Sequence, residues 1–315
     1  MAKQKSALGI MGRIRLLVVG GSGFIGRYVV QKALLQDWQV TSIGLRIPEI
    51  SNKSDEARYV EVDLTQPRMI ENIGDNRFDY VVNLGGYIDH KLFGDGGRQA
   101  LSTHFEGLLN LLEYLDRSTI KRFIQIGSSD EYGNAQAPQH ERLREYPISP
   151  YSLAKVAATH FLQMLNRSEG FPAVILRLFL TYGPGQDNKR FLPQIIKGCL
   201  ENRKFPVSEG TQIRDFCYVE DVVEAVFRCF DCPSTNGQII NIGSGEPQKV
   251  REIIELVVRL VGSGQPQFGK IRYRKGENMS LFADISSAKE ILNWTPKWSF
   301  QDGLNKTIIW TRQTF

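Results

Sequence analysis

The stretch Leu16-Leu17-Val18-Val19-Gly20-Gly21-Ser22-Gly23-Phe24-Ile25-Gly26 runs from an apolar segment straight into a glycine-rich turn. The pattern predicts a buried strand, a tight turn and a helix that begins near Phe24. Glycines at this spacing permit the turn, let backbone approach a pyrophosphate and let the helix pack on the sheet. Free N–H groups at a helix N-terminus favour phosphate. We therefore expect a dinucleotide site here, with a glycine turn that binds no ligand as the alternative. Its predicted residues are Gly20, Gly23, Phe24, Ile25 and Gly26.

The composition is that of an ordinary globular protein, with 42% hydrophobic and 23% charged residues in a chain of 315. No apolar run reaches the roughly 20 residues of a membrane span, and no apolar signal segment follows Met1. We expect no membrane contact and a cytoplasmic location. The net charge of +5 comes from scattered basic residues and predicts no nucleic-acid partner. The four cysteines are too few for a disulfide framework, and Cys229 and Cys232 have no second pair to complete a metal site, so none is expected.

Apolar strand patterns and helical patterns alternate after the glycine turn. Strands are predicted at 39–43, 58–62, 80–84, 122–126 and 173–178, and long helices at 25–36, 94–116 and 150–165. This order predicts an α/β fold with a Rossmann-type doubly wound parallel sheet. We expect a disordered arm over residues 1–12, a dinucleotide-binding domain over 13–180 and a smaller C-terminal substrate-binding lobe over 181–315, with some of its strands returning to the main sheet.

Further cofactor contacts are expected where the next strands end. An acidic residue that binds the adenosine ribose of NAD commonly follows the second strand, but here the sequence is Gly44-Leu45-Arg46. Arg46 suits a 2′-phosphate, so the predicted cofactor is NADP; NAD and a merely solvent-facing arginine are the alternatives. The other predicted contacts are Asp63 and Leu64 after the third strand, and Leu84, Gly85 and Gly86 after the fourth, where larger side chains would obstruct a cofactor.

Side chains suited to catalysis follow the fifth strand as Ser128-Ser129-Asp130, at the sheet edge where open α/β folds bind ligands. Tyr151 and Lys155 lie one turn apart in the next predicted helix. An ammonium beside a phenol lowers the pKa of the phenol and makes tyrosine a usable acid or base near neutral pH. A Tyr-x-x-x-Lys pair alone arises often by chance, but its position after the serines favours a site. We expect Ser128, Asp130, Tyr151 and Lys155 to be catalytic, and the last two also to contact the cofactor.

These motifs make the chain similar to the extended short-chain dehydrogenase/reductase family, the NAD-dependent epimerases and dehydratases that act on nucleotide sugars. The resemblance extends from residue 14 to about residue 312 and includes the segment Arg214-Asp215-Phe216. It implies a nucleotide-diphosphate sugar as substrate, with Arg214 and Arg274 holding the diphosphate, although either could be a surface arginine. The other expected substrate contacts are Tyr87, Ser129, Asp130 and Arg190.

The resemblance leaves the reaction open among 4,6-dehydratases, C4 epimerases, decarboxylases and 4-ketoreductases. Dehydratases and decarboxylases of this family typically carry glutamate where this chain has Asp130. The run from Ser128 to Gly133 looks more like the nucleotide-sugar 4-ketoreductases, such as GDP-6-deoxy-mannose reductases. We expect NADPH-dependent reduction of a nucleotide-linked 4-keto-6-deoxy sugar with Tyr151 as proton donor. The alternatives are a 4,6-dehydratase or C4 epimerase with tightly held NAD(P), and a non-catalytic nucleotide-binding protein.

Two positions depart from the family pattern, since His104 and Leu180 stand where the family usually has asparagine. The first departure bears on how Lys155 is arranged, and the second removes a polar contact to the substrate diphosphate.

The resemblance also implies a homodimer through the helices at 94–116 and 150–165. These helices carry apolar residues at helical spacing on faces that we expect to point outward. The residues are Phe105, Leu109, Leu112, Ala158 and Phe161. The alternative is that all five face the sheet.

Overall fold

The computed structural model describes residues 12–47, 54, 56–273 and 276–314. Residues 1–11 of the predicted arm, and the predicted substrate contact Arg274, lie outside the described residues. The strands are β1 (Arg15–Val19), β2 (Gln39–Gly44), β3 (Arg58–Glu61), β4 (Tyr80–Asn83), β5 (Arg122–Ser128), β6 (Ala173–Leu178), β7 (Leu180–Tyr182), β8 (Lys204–Pro206), β9 (Ile213–Arg214), β10 (Phe216–Tyr218), β11 (Ile239–Ile242), β12 (Gln248–Lys249), β13 (Gln265–Gln267) and β14 (Ser280–Leu281). The helices are α1 (Phe24–Leu35), α2 (Pro67–Ile70), α3 (Arg98–Leu101), α4 (Gly107–Tyr114), α5 (Pro150–Glu169), α6 (Phe191–Leu200), α7 (Val219–Phe230), α8 (Val250–Val261), α9 (Ser286–Leu292) and α10 (Phe300–Thr314).

The main sheet has seven strands in the order β3-β2-β1-β4-β5-β6-β11, and every neighbouring pair is parallel. On β1, Leu16 and Val18 join one hydrophobic cluster, while Leu17 and Val19 join the cluster on the opposite face. A strand with helices on both faces is apolar on both faces, which explains the continuous apolar run in the sequence. The predicted α/β fold with a Rossmann-type parallel sheet is confirmed.

Helix α5 crosses one face of this sheet and begins where the sequence predicts. The side chain of Ser149 accepts a hydrogen bond from the N–H of Ser152, and Pro150 occupies the first helical position. Serine caps free N–H groups, and proline has no N–H to leave unpaired at that position. The cap fixes the start of α5, and therefore fixes the position of Tyr151 and Lys155 relative to the end of β5.

The segment beyond residue 180 forms three small sheets, which pair β7 with β10, β9 with β12 and β14, and β8 with β13. Strand β11 also comes from this segment, but it pairs with β6 as the last strand of the main sheet. The division into two domains at residue 180 stays a prediction. Strand β11 places one element of the proposed lobe within the large sheet.

The long helix predicted over 94–116 is not regular. A 3₁₀ turn (Phe93–Asp95) precedes α3, and a π-helical turn (Ser102–Glu106) separates α3 from α4. A π-helical turn widens the helix by one residue and is frequent at functional sites. Here the widened turn contains His104.

The prediction that five apolar side chains point outward for dimer formation is partly wrong. Leu112 and Ala158 are buried in the cluster between these helices and the sheet, because their side chains face the strands. Phe105 and Phe161 are half-buried and meet edge to face, with ring centroids 6.0 Å apart, and Leu109 is also half-buried.

No helix within the described ranges combines the length and apolar character that a membrane crossing requires. Residues 12–47, 54, 56–273 and 276–314 also contain no cluster of three or more His, Cys, Asp or Glu side chains suited to a metal ion.

Candidate active site

The glycine turn after β1 forms a cradle of backbone at the N-terminus of α1. Gly20 has φ +77°, a conformation that side chains rarely adopt. A Cβ added to Gly26 would lie 2.1 Å from the carbonyl oxygen of Gly20, so the helix touches the turn through backbone alone. Gly23 is the N-cap and has no side chain to bind the first N–H groups of α1. These groups, which begin at Phe24 and Ile25, suit phosphate oxygens.

The predicted adenosine contacts lie at the same edge of the sheet, where β2 and β3 end. Arg46 is exposed and lies two residues beyond Gly44, the last residue of β2. The carboxylate of Asp63 accepts hydrogen bonds from the N–H of Thr65 at 2.9 Å and from its hydroxyl at 2.7 Å. Leu64 is half-buried next to it. The structure therefore brings these residues to one edge, although Asp63 already closes a local turn.

The end of β4 shows why glycines are needed there. A Cβ on Gly85 would lie 2.7 Å from Cγ1 of Val19, and a Cβ on Gly86 would lie 2.0 Å from Cε1 of His104. Gly86 also has φ +111°. The sequence predicted that side chains here would obstruct a cofactor, but the described contacts are with Val19 and His104. Leu84, which precedes the two glycines, is half-buried.

Ser128, Tyr151 and Lys155 come together at the carboxyl end of β5. Ser128 is the last residue of β5, and its side chain shares a hydrogen bond with that of Tyr151. The Nζ atom of Lys155 donates to the Ile126 carbonyl at 2.8 Å and lies 5.9 Å from the ring centroid of Tyr151. Tyr151 is 3% exposed and Lys155 is 5% exposed. The arrangement combines a hydroxyl, a phenol and an ammonium in a nearly dry pocket.

Burial controls the protonation of this pair. It raises the pKa of Tyr151, as does the negative charge of Asp130, while the hydrogen bond with Ser128 lowers it. Burial also lowers the pKa of Lys155 to about 8, and the charge of Glu131 opposes that change. The expectation that the Tyr151 pKa is lowered is therefore wrong for the protein alone, because loss of hydration outweighs any effect of the neighbouring ammonium. The phenol is protonated near neutral pH and can donate a proton.

A buried ion-pair network beneath the site was missed from the sequence. Glu131 is fully buried, and its carboxylate accepts from the Ser128 N–H at 2.8 Å, from the Thr159 hydroxyl at 2.9 Å and from Nε of Arg177 at 2.9 Å. Arg177 also pairs with Glu145 at 2.6 Å. This network holds the backbone of Ser128 in place. An arginine inside the apolar strand 173–178 was the available signal for it.

His90 is a second residue that the sequence analysis did not select. It comes from the loop after β4, and its Nε2 lies 3.6 Å from Oδ2 of Asp130. Its ring is edge to face with that of Tyr151, with centroids 5.7 Å apart. Asp130, predicted as catalytic, therefore lies beside Tyr151 and has a histidine partner. No spacing in the sequence links positions 90 and 130.

The two departures from the family pattern occupy different settings. His104 is 5% exposed, its Nε2 lies 2.8 Å from the Tyr87 carbonyl oxygen, and its ring is edge to face with Tyr151 at a centroid distance of 5.1 Å. Burial lowers the pKa of His104 to about 3; the charge of Lys155 contributes, and the Tyr87 carbonyl opposes it. The imidazole is therefore neutral, and its Nε2 is the donor to the Tyr87 carbonyl. Leu180 is exposed at the start of β7.

The residues predicted to contact the substrate differ in their exposure and in their partners. Arg190 is exposed at the N-terminus of α6, close enough for its charge to lower the pKa of Tyr151, although burial dominates that pKa. Arg214 is nearly buried and pairs with Glu277, and it also donates to the carbonyl of Ile213 at 2.8 Å. Ser129 is buried beside Ser128, whereas Tyr87 is partly exposed and contributes a carbonyl to His104. Arg190, Ser129 and Tyr87 thus lie near the trio, whereas Arg214 is paired with the carboxylate of Glu277.

Together, the parallel sheet with its glycine cradle and the residues gathered at its carboxyl edge define a Rossmann-type α/β protein. The profile of the NAD dependent epimerase/dehydratase family matches residues 16–243, and the chain belongs to this family. The match confirms the resemblance inferred from Gly20, Ser128, Tyr151 and Lys155.

Curated relatives and solved structures cover nearly the whole chain. UDP-glucuronate 4-epimerase from Thermodesulfobacterium geofontis is 28% identical over 313 residues, which is 94% of this chain and 96% of that protein. The dTDP-glucose 4,6-dehydratase of Escherichia coli is 27% identical and covers 94% of this chain and 93% of its own length. The structure of UDP-glucuronic acid 4-epimerase from Bacillus cereus, in complex with UDP-glucuronic acid and NAD, is 26% identical, with a TM-score of 0.86 over 96% of this chain and 100% of that one. These relatives favour the epimerase and dehydratase alternatives over the reductase expected from the sequence.

Proposed function

We propose that the chain is a nucleotide-sugar 4-epimerase that oxidises C4 of a nucleotide-diphosphate hexose and reduces it again with a cofactor that stays bound. The observation that carries the proposal is the convergence of Ser128, Tyr151 and Lys155 next to the glycine cradle. Epimerisation at C4 needs one group that takes the hydroxyl proton and returns it. Tyr151 meets this need without a second acid–base pair. The near full-length likeness to a 4-epimerase supports the same reaction.

The residues present fit a dinucleotide. The cradle of Gly20, Gly23 and Gly26 has no room for a Cβ on Gly26 and exposes helix N–H groups to a pyrophosphate. Bound NAD(P) would supply the acceptor and donor of hydride. We assign the adenosine end to Arg46, Asp63 and Leu64, the middle to Leu84, Gly85 and Gly86, and the nicotinamide ribose to Tyr151 and Lys155. Arg46 in place of a ribose-binding acid favours NADP over NAD.

Each catalytic side chain has a separate task in this proposal. The Ser128 hydroxyl donates a hydrogen bond to the C4 oxygen, which positions it beside the phenol of Tyr151. Tyr151, which must be the phenolate when the substrate is bound, takes the C4 hydroxyl proton as hydride leaves and gives it back on return. Lys155 supplies positive charge that favours this phenolate over the phenol that burial favours in the protein alone. Asp130, held by His90, orients sugar hydroxyls and transfers no proton.

The substrate diphosphate is assigned to Arg190, Arg214 and Arg274, because guanidinium groups bind phosphate oxygens through paired N–H donors. Arg214 must then exchange its ion pair with Glu277 for the diphosphate. Tyr87 and Ser129 would contact the sugar.

A 4-ketoreductase is the second candidate, and specific residues favour it. Arg46 suits NADPH, which serves as a consumed reductant, and Asp130 stands where dehydratases typically have glutamate. A dehydratase would need both a base for the C5 proton and an acid for the C6 hydroxyl. A non-catalytic role would require Tyr151 to have lost its partners, yet both Ser128 and Lys155 lie beside it.

One experiment separates these reactions. The purified protein is incubated with a panel of nucleotide-diphosphate hexoses and, separately, with a 4-keto-6-deoxy nucleotide sugar and NADPH. Mass spectrometry and NMR then identify the products. A C4 epimer of unchanged mass, with no net use of cofactor, supports the epimerase. Gain of two hydrogens at the expense of NADPH would identify the reductase, and loss of one water would identify the dehydratase.

We also propose that two copies pair through the α3–α4 segment and α5. On the outward side of α5, the side chains of Leu153 and Met164 are 47% and 41% exposed. They extend the apolar surface formed by the half-buried Phe105, Leu109 and Phe161. Apolar side chains on neighbouring helices favour a symmetric four-helix contact. Sedimentation equilibrium should give twice the chain mass, and Met164→Glu should lower it. A monomer in dilute solution would contradict this proposal.

A further inference from the structure

One face of α5 carries three buried polar side chains on successive turns. They are Tyr151, Lys155 and Thr159, spaced four residues apart. Residues at this spacing are neighbours on a helix surface. The proposed function uses the first two, whereas the hydroxyl of Thr159 donates to the carboxylate of Glu131 at 2.9 Å. The carboxylate therefore lies against the same face of α5 as the phenol and the ammonium.

The end of β5 contacts both the ammonium and the carboxylate. The Ile126 carbonyl accepts a hydrogen bond from Nζ of Lys155 at 2.8 Å. Two residues on, the N–H of Ser128 donates to the Glu131 carboxylate at 2.8 Å. Gly127 lies between them, and a Cβ added to it would lie 2.6 Å from Oε1 of Glu131. The carboxylate thus occupies space that any other residue at position 127 would fill with its side chain.

Arg177 holds this carboxylate in place. Its Nε donates to Glu131 at 2.9 Å, and both residues are fully buried. The guanidinium also pairs with Glu145 at 2.6 Å and lies over the ring of Tyr132, 4.7 Å from the centroid. A guanidinium keeps its charge and favours the ionised form of a neighbouring carboxylate. One arginine between two carboxylates leaves one net negative charge beneath the site.

Lys155 needs such a charge to stay protonated. The residue is 5% exposed, and burial lowers the pKa of Lys155 to about 8, whereas the charge of Glu131 opposes that change. Burial without an opposite charge can remove the proton of a lysine near neutral pH. A neutral amine would no longer favour the phenolate that the proposed function requires of Tyr151. The charge of Lys155 therefore depends on what lies beneath it.

We propose that Glu131, held by Arg177, is a positioning residue that supplies the negative charge keeping Lys155 protonated in the dry pocket, while it fixes the end of β5. Glu131 is fully buried and transfers no proton itself. The inference rests on the proposed function for its kinetic test, whereas its titration test requires no reaction.

The titration test follows the ¹³Cε resonance of Lys155 in protein labelled with ¹³C-lysine, without cofactor or substrate. The resonance is assigned by its loss in Lys155→Met. We expect a midpoint at about pH 8 in the wild type. Glu131→Gln removes the charge at nearly constant size, so the midpoint should fall by about one pH unit. The matched control is Thr159→Val, which removes a hydrogen bond to Glu131 but no charge and should leave the midpoint in place.

A midpoint unchanged in Glu131→Gln would overturn the proposal, as would equal shifts in Glu131→Gln and Thr159→Val. A wild-type midpoint below pH 7 would also overturn it. Gly127→Ala keeps the proposal testable where Glu131→Gln does not fold, because the added methyl displaces the carboxylate without removing the partner of Arg177. The Lys155 midpoint should then fall by less than in Glu131→Gln, and a midpoint that stays or rises would contradict the proposal.

The kinetic test measures the alkaline limb of the kcat profile, where a required ammonium loses its proton. This limb should move down by about one pH unit in Glu131→Gln and stay in place in Thr159→Val. A fall in kcat that is equal at every pH in Glu131→Gln would assign a merely structural role to Glu131 and refute the role of its charge.

The other charged or titratable groups around this carboxylate and this ammonium remain the same in all these variants. They are His104 from the π-helical turn, Asp130 and Tyr132 from the turn after β5, Glu145 from the loop before α5, Tyr151 from α5 and Arg177 from β6. If the wild-type protein turns over no nucleotide sugar, the proposed function fails, while the titration test still decides the inference.

Discussion

Replacement of Gly86 by alanine tests the packing between the loop after β4 and His104. The added Cβ would lie 2.0 Å from Cε1 and 2.5 Å from Nδ1 of His104, where ordinary contacts begin near 3.4 Å. The ring must therefore move by more than 1 Å, and this breaks its 2.8 Å contact with the Tyr87 carbonyl. Overpacking of this kind costs about 1–3 kcal/mol. The φ of +111° adds strain of about 1–3 kcal/mol for any side chain.

The two costs can be separated in a double-mutant cycle. Gly86→Ala should lower the free energy of unfolding by roughly 2–6 kcal/mol, measured by urea denaturation. The dependence of that free energy on urea concentration should stay the same. In the His104→Ala background the overpacking disappears and the backbone strain stays, so Gly86→Ala should cost about 1–3 kcal/mol there. The coupling between the two positions is then about 1–3 kcal/mol. Additive effects, or a cost of less than about 0.5 kcal/mol for Gly86→Ala alone, would refute the described packing.

Three further predictions address the site. Tyr151→Phe should lower kcat by about 10²–10⁴-fold while nucleotide-sugar binding, measured by calorimetry, changes little, and near-native turnover would exclude Tyr151 as the acid–base residue. Arg46→Asp should weaken the binding of NADPH by about 10–100-fold and the binding of NADH far less, as fluorescence titration can measure. Equal losses of affinity for both cofactors would remove the reason for predicting NADP. Lys155→Met should abolish turnover but stabilise the cofactor-free protein at pH 7 by about 1–3 kcal/mol, because it removes a buried ammonium. Burial lowers the Lys155 pKa from 10.5 to about 8, so this gain should be complete below pH 8 and vanish as the pH approaches 10.5; a gain that does not depend on pH would contradict it.

The sequence predicted the sheet well because each strand is determined by residues within it and next to it in the chain. Each strand of the main sheet up to β6 contains apolar residues next to a glycine, a charged residue or a helical pattern, and the glycine turn at Gly20 specifies its own geometry. The start of α5 was equally readable, because a serine cap and a proline act within one turn. Elements of this kind are decided by neighbours a few residues away.

The missed features depend on contacts between distant residues. Glu131 meets Arg177 across 46 positions, and His90 meets Asp130 across 40, and neither pair has a characteristic spacing. The raised pKa of Tyr151 depends first on how deeply the ring is buried, which no local pattern reports. The π-helical turn was hidden for a different reason, since one extra residue in a turn scarcely changes the apolar periodicity around it.

Under the proposed function, the loop after β4 connects substrate choice to proton transfer. Two residues of this loop contact the site: the carbonyl of Tyr87 binds His104, and His90 pairs with Asp130. The rings of His90 and His104 both meet the ring of Tyr151 edge to face. Loops at the carboxyl edge of such sheets vary to fit different substrates. A change that refits this loop to another sugar therefore also changes the surroundings of the catalytic phenol. Under the proposed function, a change of substrate must therefore keep the positions of both histidines, or replace them together with the groups that they contact.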